Sequence, residues 1–188
     1  MKTKVFSVLL GALLLFSCNK KEMKISRSDY SIQTEVHDFS PAYMTHDKGK
    51  AKLNKNNLIG NTHWILLVER DLNLENIAPF LQELTDKKHK KGGMHEDTKH
   101  IYFIYSDTLH KANAYVQLPF KKVVLEVLEN KEDLVFVSNT DVVDNLKIHD
   151  QQPISFDKNM SVETFVNILI ELEKQGVSEK INEAIYIY

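Results

Sequence analysis

A single cysteine, Cys18, constrains what this chain of 188 residues can fold into. A domain with one thiol cannot form an internal disulfide in any compartment. Its stability must therefore come from a packed apolar core. Removal of the first 17 residues leaves 171, enough for one domain of ordinary size that buries most of its apolar surface.

The first 17 residues have the pattern of an export signal. Lys2 and Lys4 precede an apolar run from Val5 to Phe16, and export machinery recognises positive charge followed by such a run. The run is shorter than the roughly 20 residues that a transmembrane helix needs. The sequence therefore predicts a cleaved signal peptide over residues 1–17.

The end of this run, Leu15-Phe16-Ser17-Cys18, resembles the bacterial lipobox. The resemblance implies that Cys18 becomes the first residue of the mature chain and carries a lipid anchor, with palmitate among its acyl groups. The expected location is the bacterial cell envelope, with the domain in the periplasm. The residue after the cysteine is Asn19, whereas an aspartate at this position is associated with retention in the inner membrane. The outer membrane is therefore favoured. An ordinary signal peptide followed by a free thiol is the alternative.

Polarity divides the mature chain into two parts. Residues 18–60 lack a sustained apolar period and predict a lipidated cysteine followed by a polar tether that includes at most one short ordered piece. The candidate for docking on the domain is the apolar patch around Ile32, Val36, Phe39 and Tyr43. Residues 61–188 predict a single α/β domain, with α+β as the alternative, built on one mixed sheet with about three helices. The strands are expected at Trp64–Val68, His100–Tyr105, Leu134–Val137, Pro153–Phe156 and Ala184–Tyr188.

Apolar periodicity and capping residues place the three helices. The first follows the Trp64 strand, with Asn73 or Asn76 as its cap, and Pro79 favours Asn76 because proline belongs in a first turn. The second is expected from Pro119 through Leu128. The third begins after Ser161 and ends at Gly176.

An internal similarity relates two parts of this domain at an offset of 88 residues. Residues 68–75 match residues 156–163 in class at every position, and Ile77, Leu81 and Leu84 then fall on Phe165, Leu169 and Leu172. One interpretation is a pair of repeated β-α-β units. The other is that any two capped amphipathic helices after buried strands look alike, since acids and caps are favoured there.

Residues 154–188 resemble the periplasmic domain of the ExbD/TolR family of biopolymer transport proteins. The resemblance is carried by a strand ending in Asp157-Lys158, a helix, Gly176 and a final strand. It implies an envelope domain of similar fold that binds cell-wall material or other envelope proteins. That family couples proton flow through an aspartate in a transmembrane helix, which this sequence lacks, so no proton-coupling residue is carried over.

Charged pairs follow two of the predicted strands. Glu69-Arg70 and Asp157-Lys158 are expected to emerge at one sheet edge and to line a shared groove for a zwitterionic or sugar-peptide ligand. The alternative is that these charges only serve the starts of the helices that follow.

Histidines and carboxylates near residue 95 offer a candidate metal site, with ligands among His89, His95, Glu96, Asp97 and His100. This site would support a metal-dependent hydrolase that uses the His95/His100 loop. The competing interpretation is a solvated loop, because the spacing fits no closed site and neighbouring lysines would repel a cation.

Other features argue against most enzyme classes. The chain has no Gly-x-Ser-x-Gly elbow and no glycine-rich phosphate loop, so no cofactor is expected. A net charge of −2 without a basic face makes nucleic acid an unfavoured partner. The sequence therefore predicts a lipid-anchored binding or structural module of the envelope. The alternatives are the metal-dependent hydrolase and a small-ligand-binding lipoprotein, which would need a deep apolar pocket.

Overall fold

A computed structural model describes residues 22–90, 99–125, 134–140 and 149–188. In the described residues the strands are β1 (Arg27–Ser28), β2 (Phe39–Asp47), β3 (Lys50–Asn54), β4 (His63–Val68), β5 (Ile101–Asp107), β6 (Ala112–Gln117), β7 (Lys122–Val124), β8 (Val135–Val137), β9 (Gln152–Phe156) and β10 (Ile181–Ile187). The helices are α1 (Leu74–Lys88) and α2 (Val162–Lys174), and a 3-10 turn covers Ser178–Lys180.

A mixed sheet of six strands forms the larger layer. Strands β2, β4 and β5 run parallel to one another. Strand β3 pairs antiparallel with β2, and β6 pairs antiparallel with β5. Short strand β1 pairs in parallel with the last residues of β5, beyond the end of β4. We call the end at which β2, β4 and β5 finish the carboxyl edge, and the opposite end the amino edge.

The remaining strands form a second sheet. The expectation of a single sheet is therefore wrong. The second sheet has the order β7-β10-β9-β8, and every pairing in it is parallel. The split has a physical cause, because β6 returns antiparallel along β5 and takes the edge that a further strand would need. The coarser expectation of a mixed α/β architecture is confirmed.

Two expectations about the chain before residue 125 are wrong. The polar tether does not extend over residues 39–54, because β2 pairs with β4 over six residues and β3 completes a hairpin with β2. The expected helix from Pro119 is replaced, where it is described, by strand β7. Its β-branched residues Val123 and Val124 pair with Ile185 and Tyr186 of β10. Residues 126–128 of that prediction lie outside the described residues.

The first helix begins one turn earlier than Pro79 suggests. Asn73 is its N-cap, so Pro79 lies inside α1. The start is fixed by other parts of the chain, since the Leu74 N–H donates to the Met160 carbonyl at 2.8 Å. Helix α2, the third of the predicted helices, begins and ends as predicted. The Ser161 hydroxyl accepts from the Thr164 N–H at 3.0 Å, and Gly176 follows the helix with φ +65°.

One apolar core joins the two sheets and both helices. Phe165 of α2 packs against Phe103 of the large sheet, with ring centroids 5.8 Å apart, and against Phe156 of the small sheet at 5.1 Å. Helix α1 contacts β3 of the large sheet and β7 and β10 of the small sheet, while α2 contacts β1 and β6 of the large sheet. Each helix therefore packs on strands of both sheets.

Candidate functional site

Two β-α-β units meet where their first strands end. The units are β4-α1-β5 and β9-α2-β10, and in each the two strands pair in parallel. The Leu74 N–H donates to the Met160 carbonyl, and the Val162 N–H donates to the Leu72 carbonyl, both at 2.8 Å. The two donors, Leu74 and Val162, are 88 residues apart in sequence, and so are the two acceptors, Leu72 and Met160. The two bonds are therefore equivalent under exchange of the units. Asn73 and Ser161, also 88 apart, form the bridge between them.

The same equivalence between the units includes two of the predicted groove residues, Arg70 and Lys158. The Glu75 N–H donates to the Lys158 carbonyl at 2.7 Å, and the Glu163 N–H donates to the Arg70 carbonyl at 3.4 Å. Arg70 and Lys158 are therefore equivalent positions, each beside the first turn of the helix of the other unit.

The four predicted groove residues do not line one groove. Glu69 lies at a small cavity of about 150 Å³ that also contacts Lys24 and His46, whereas Lys158 lines another of about 280 Å³ beside α1. Asp157 is used locally, since its Oδ1 accepts from the Asn159 N–H at 2.8 Å. Arg70 faces Glu163, with 3.7 Å between Nη1 and Oε1.

A larger groove runs along the exposed side of α2. Its volume is about 540 Å³, and the residues that line it are Ser28, Asp29, Tyr30, Thr140, Ser161, Glu163, Thr164, Asn167, Ile170, Glu171 and Lys174. Most of these side chains are polar. One wall is the end of β1 with the two residues that follow it, and the other is about three turns of α2, from Glu163 to Lys174.

Two arginines hold Glu163 at the inner end of the groove. Arg27 Nε lies 3.3 Å from Glu163 Oε1, and the Arg70 guanidinium approaches the same oxygen. Asn167 joins the two walls, since its Nδ2 donates to the carbonyl of Arg27 at 3.0 Å and to that of Glu163 at 2.8 Å. The inner end is therefore braced before any ligand arrives.

The outer end of the groove carries an aromatic ring and an ion pair. The Lys174 ammonium lies 5.0 Å from the centroid of the Tyr30 ring, which is 45% exposed. Its Nζ also lies 2.8 Å from Glu171 Oε2, and this hydrogen bond raises the pKa of Lys174. A flat ring beside charges of both signs suits a ligand with apolar faces and ionised groups.

Sequence reasoning found only part of this groove. The sequence predicts Ser161 as a helix cap. Arg70, which it predicts for another groove, contacts Glu163 but does not line this groove. Tyr30 and Asn167 were missed, because Tyr30 lies in the stretch read as tether and Asn167 is one more polar residue on an outward helix face. The spacing Glu163, Asn167, Glu171 and Lys174, which puts polar side chains on one side of α2, is the signal that could have found it.

Histidines gather at the amino edge of the large sheet. The His100 N–H donates to Nδ1 of His63 at 3.0 Å, and the two rings stack with centroids 5.7 Å apart. Burial lowers the pKa of both imidazoles, and Lys99 adds to the effect at His63 as Lys88 does at His100. Burial also lowers the pKa of Lys88 to about 8. Two imidazoles with lowered pKa therefore lie near the ammonium groups of Lys88 and Lys99.

The predicted metal site is only partly within the described residues. His89 and His100 are described, whereas His95, Glu96 and Asp97 lie outside them. Among the residues that the structure describes, no group of three or more histidine, cysteine or carboxylate side chains is placed to hold a metal ion. Burial lowers the pKa of His89, and Lys121 adds to that effect.

None of the described helices has the length and hydrophobicity needed to cross a bilayer. Comparison of the chain with protein-family models, with curated proteins and with solved structures finds no match.

Proposed function

We propose that this chain is a lipid-anchored binding module of the bacterial cell envelope, and that the groove along α2 binds a sugar-peptide of the kind found in the cell wall. The anchor is the lipid on Cys18, with the domain in the periplasm and the outer membrane favoured over the inner. The groove is the observation that carries the ligand class. Its volume of about 540 Å³ lies within the roughly 300–1,000 Å³ typical of ligand sites.

The groups in the groove fit such a ligand in three ways. Tyr30 offers a ring on which a sugar face can stack. Asp29 and Glu171 can accept from hydroxyl groups or from an amino group, and Lys174 can pair with a carboxylate. Braced contacts at Glu163 reduce the ordering that binding would otherwise require.

The ExbD/TolR resemblance contributes to the same proposal. It covers residues 154–188, which contain the last three residues of β9, all of α2 and all of β10. The helix that lines the groove is thus part of the resembling stretch. The proposed function takes from that family only the binding of cell-wall material or envelope proteins, without proton coupling.

The anchor is tested by expressing the full chain in a bacterium fed with labelled palmitate. We expect label on the wild-type protein and none on Cys18→Ala, because no other thiol is present to accept the lipid. Fractionation of the two membranes then locates the protein. Equal labelling of both proteins, or none, would contradict the proposed anchor.

The groove is tested by calorimetric titration. The detergent-solubilised full chain is titrated with a soluble disaccharide-peptide released from bacterial cell wall. The variant is Glu171→Gln. Its matched control is Glu83→Gln, since Glu83 is 88 residues earlier, lies on α1 and is paired with Lys55. We expect about a tenfold loss of affinity for Glu171→Gln, the scale of one hydrogen bond to a charged group, and none for Glu83→Gln. Absence of binding to the wild type would refute the assigned ligand, and equal affinities for all three proteins would refute the groove as its site.

A further inference from the structure

The start of the described chain is built into the carboxyl edge of the large sheet. The Arg70 N–H donates to the Lys24 carbonyl at 2.9 Å, and the Ser106 N–H donates to the Ser26 carbonyl at 2.8 Å. Strand β1 then pairs with the last residues of β5, and Ser26 is 2% exposed. The chain is therefore fixed to the body from Lys24 onward.

This attachment leaves a short connection to the proposed lipid. Five residues, 19–23, separate Cys18 from Lys24. At full extension six steps of the backbone reach about 20 Å. The six steps between the first and last residues of β5 span about 20 Å at strand geometry. The amino edge could therefore reach the bilayer only if the connection were almost fully extended. The carboxyl edge can lie beside the bilayer with a relaxed connection, because Lys24 is attached there.

Two hairpin tips project from the carboxyl edge on either side of this attachment. The β2–β3 turn carries the exposed residues Lys48 and Lys50. The β5–β6 turn carries Leu109, which is 68% exposed, followed by the exposed residues His110 and Lys111. An apolar side chain beside basic ones is the pattern of a segment that lies in the headgroup region of a bilayer.

A buried carboxylate holds Leu109 in this position. Asp107 Oδ1 accepts from the N–H groups of Leu109 at 2.8 Å and His110 at 2.9 Å, and Oδ2 accepts from the hydroxyl of Ser31. These hydrogen bonds, with that of Ser31 the largest cause, hold the pKa of Asp107 well below its usual range. The turn therefore presents Leu109 outward without relying on apolar packing.

We propose that the carboxyl edge of the large sheet rests on the membrane to which Cys18 is anchored, with Leu109 inserted among the headgroups and Lys48, Lys50 and Lys111 against anionic lipid. This inference rests on the proposed lipid anchor. The edge also carries the exposed acid Asp71, and Asp47 lies opposite Lys50 within the β2–β3 tip, so the contact is centred on Leu109 rather than on the whole edge. The groove follows β1 directly and so opens close to the membrane surface.

A pair of exposed aliphatic residues at opposite edges allows a matched test. Ile59 is 56% exposed and lies in the segment just before β4, at the amino edge. Leu109→Cys and Ile59→Cys are made separately in the lipidated full chain and labelled with an environment-sensitive fluorophore. Acylation blocks Cys18, so each introduced thiol is the only labelling site. Both proteins are reconstituted in phosphatidylethanolamine and phosphatidylglycerol vesicles that contain a quencher attached to lipid.

We expect the label at residue 109 to be quenched at least about threefold more strongly than the label at residue 59, with a blue-shifted emission, as for side chains at the headgroup boundary. Equal quenching of proteins that float with the vesicles would overturn the orientation and leave the anchor standing. Stronger quenching at residue 59 would mean that the amino edge meets the bilayer. Failure of both proteins to float would overturn the orientation together with the anchor, and the mass of the Cys18 peptide reports acylation separately.

Discussion

The β4-α1-β5 and β9-α2-β10 units place equivalent residues at equivalent positions, yet the cavities beside their helices differ in chemistry. Beside α2 the groove is polar, and Glu163 there is held by Arg27 and Arg70. Beside α1 the equivalent Glu75 shares its cavity with Lys158, and the other lining residues are Ala78, Pro79, Leu125, Ile187 and Tyr188. At the position of Asn167, α1 has Pro79, which has no side-chain donor.

The difference shows that a shared backbone frame does not determine the chemistry of a site. The reciprocal hydrogen bonds between the units fix where each helix begins. The walls that complete each cavity come from elsewhere, from the segment after β1 in one case and from the ends of β7 and β10 in the other. Paired substitutions at positions 88 residues apart can therefore separate what belongs to the frame from what belongs to the site.

The largest effect is expected in the core. Phe165→Ala should lower the free energy of unfolding by about 4 kcal/mol, because the ring is fully buried and packs against both sheets. Ile77→Ala, at the equivalent position of α1, should cost about 3 kcal/mol because less buried volume is removed. Denaturant unfolding measures both. A larger loss at Ile77 would mean that α1, rather than α2, carries the contact between the sheets.

The second strands of the two units, β5 and β10, should differ in how the residue at their end affects stability as the pH changes. Strand β5 ends on buried Asp107, whose carboxylate accepts several hydrogen bonds, whereas β10 ends on apolar Ile187. Asp107→Ala should cost about 2–3 kcal/mol at pH 7 because those donors lose their partner.

The sign of the pH dependence follows from the lowered pKa of Asp107 in the folded chain. As the pH falls below the ordinary carboxyl pKa of 3.8, the unfolded state takes up the proton first, so the stability that Asp107 provides is lost. The gap between wild type and Asp107→Ala should therefore narrow at acid pH. For Ile187→Ala the gap should stay constant, and parallel behaviour of the two variants would contradict the assigned role.

A smaller effect is expected at the helix starts. Ser161→Ala should cost about 1 kcal/mol, because the Ser161 hydroxyl accepts from the Thr164 N–H. At the position equivalent to Thr164, Asn76 Oδ1 accepts from the Asn73 N–H at an exposed site. Asn76→Ala should cost only about 0.5 kcal/mol, since water can take over that bond. Thermal unfolding of the two variants side by side would detect a reversed order.

The smallest effects are expected for the ion pairs on the outer helix faces. Glu171→Gln and Glu83→Gln should each change the free energy of unfolding by less than about 0.5 kcal/mol, because both pairs are solvent-accessible. Matching stabilities would assign any loss of ligand affinity in Glu171→Gln to the groove. Marked destabilisation of that variant alone would show that Glu171 also supports the fold.

Most of the individual elements could be predicted from sequence, because each has a local signal. The apolar runs at Trp64–Val68 and Pro153–Phe156 correspond to β4 and β9, and the capped amphipathic pattern after Ser161 corresponds to α2. The prediction failed at Val123-Val124, where an apolar pattern of helical period is a strand. Two valines fit either structure, and pairing with β10 decided the outcome.

The candidate site was less predictable than the fold. Arg70 and Glu163 are 93 positions apart in sequence, and nothing local indicates that they meet. Residues 39–54 are polar on one face and contain no long apolar run, which is typical of a tether and also of the hairpin at the edge of a sheet. Tyr30 was missed with them.

The sequence by itself predicted both helices and the strands β4, β5, β8, β9 and β10. It also indicated a core without disulfides and an anchor at Cys18, which stays a prediction. Only the tertiary structure decided that there are two sheets, that α1 begins at Leu74, and which polar side chains converge on the groove. The reason is physical: periodicity and capping act over one or two turns, whereas strand pairing and the bonds between Leu74 and Met160 join residues far apart in the chain. The free energy of those distant contacts outweighs local preference, and no short stretch of sequence records it.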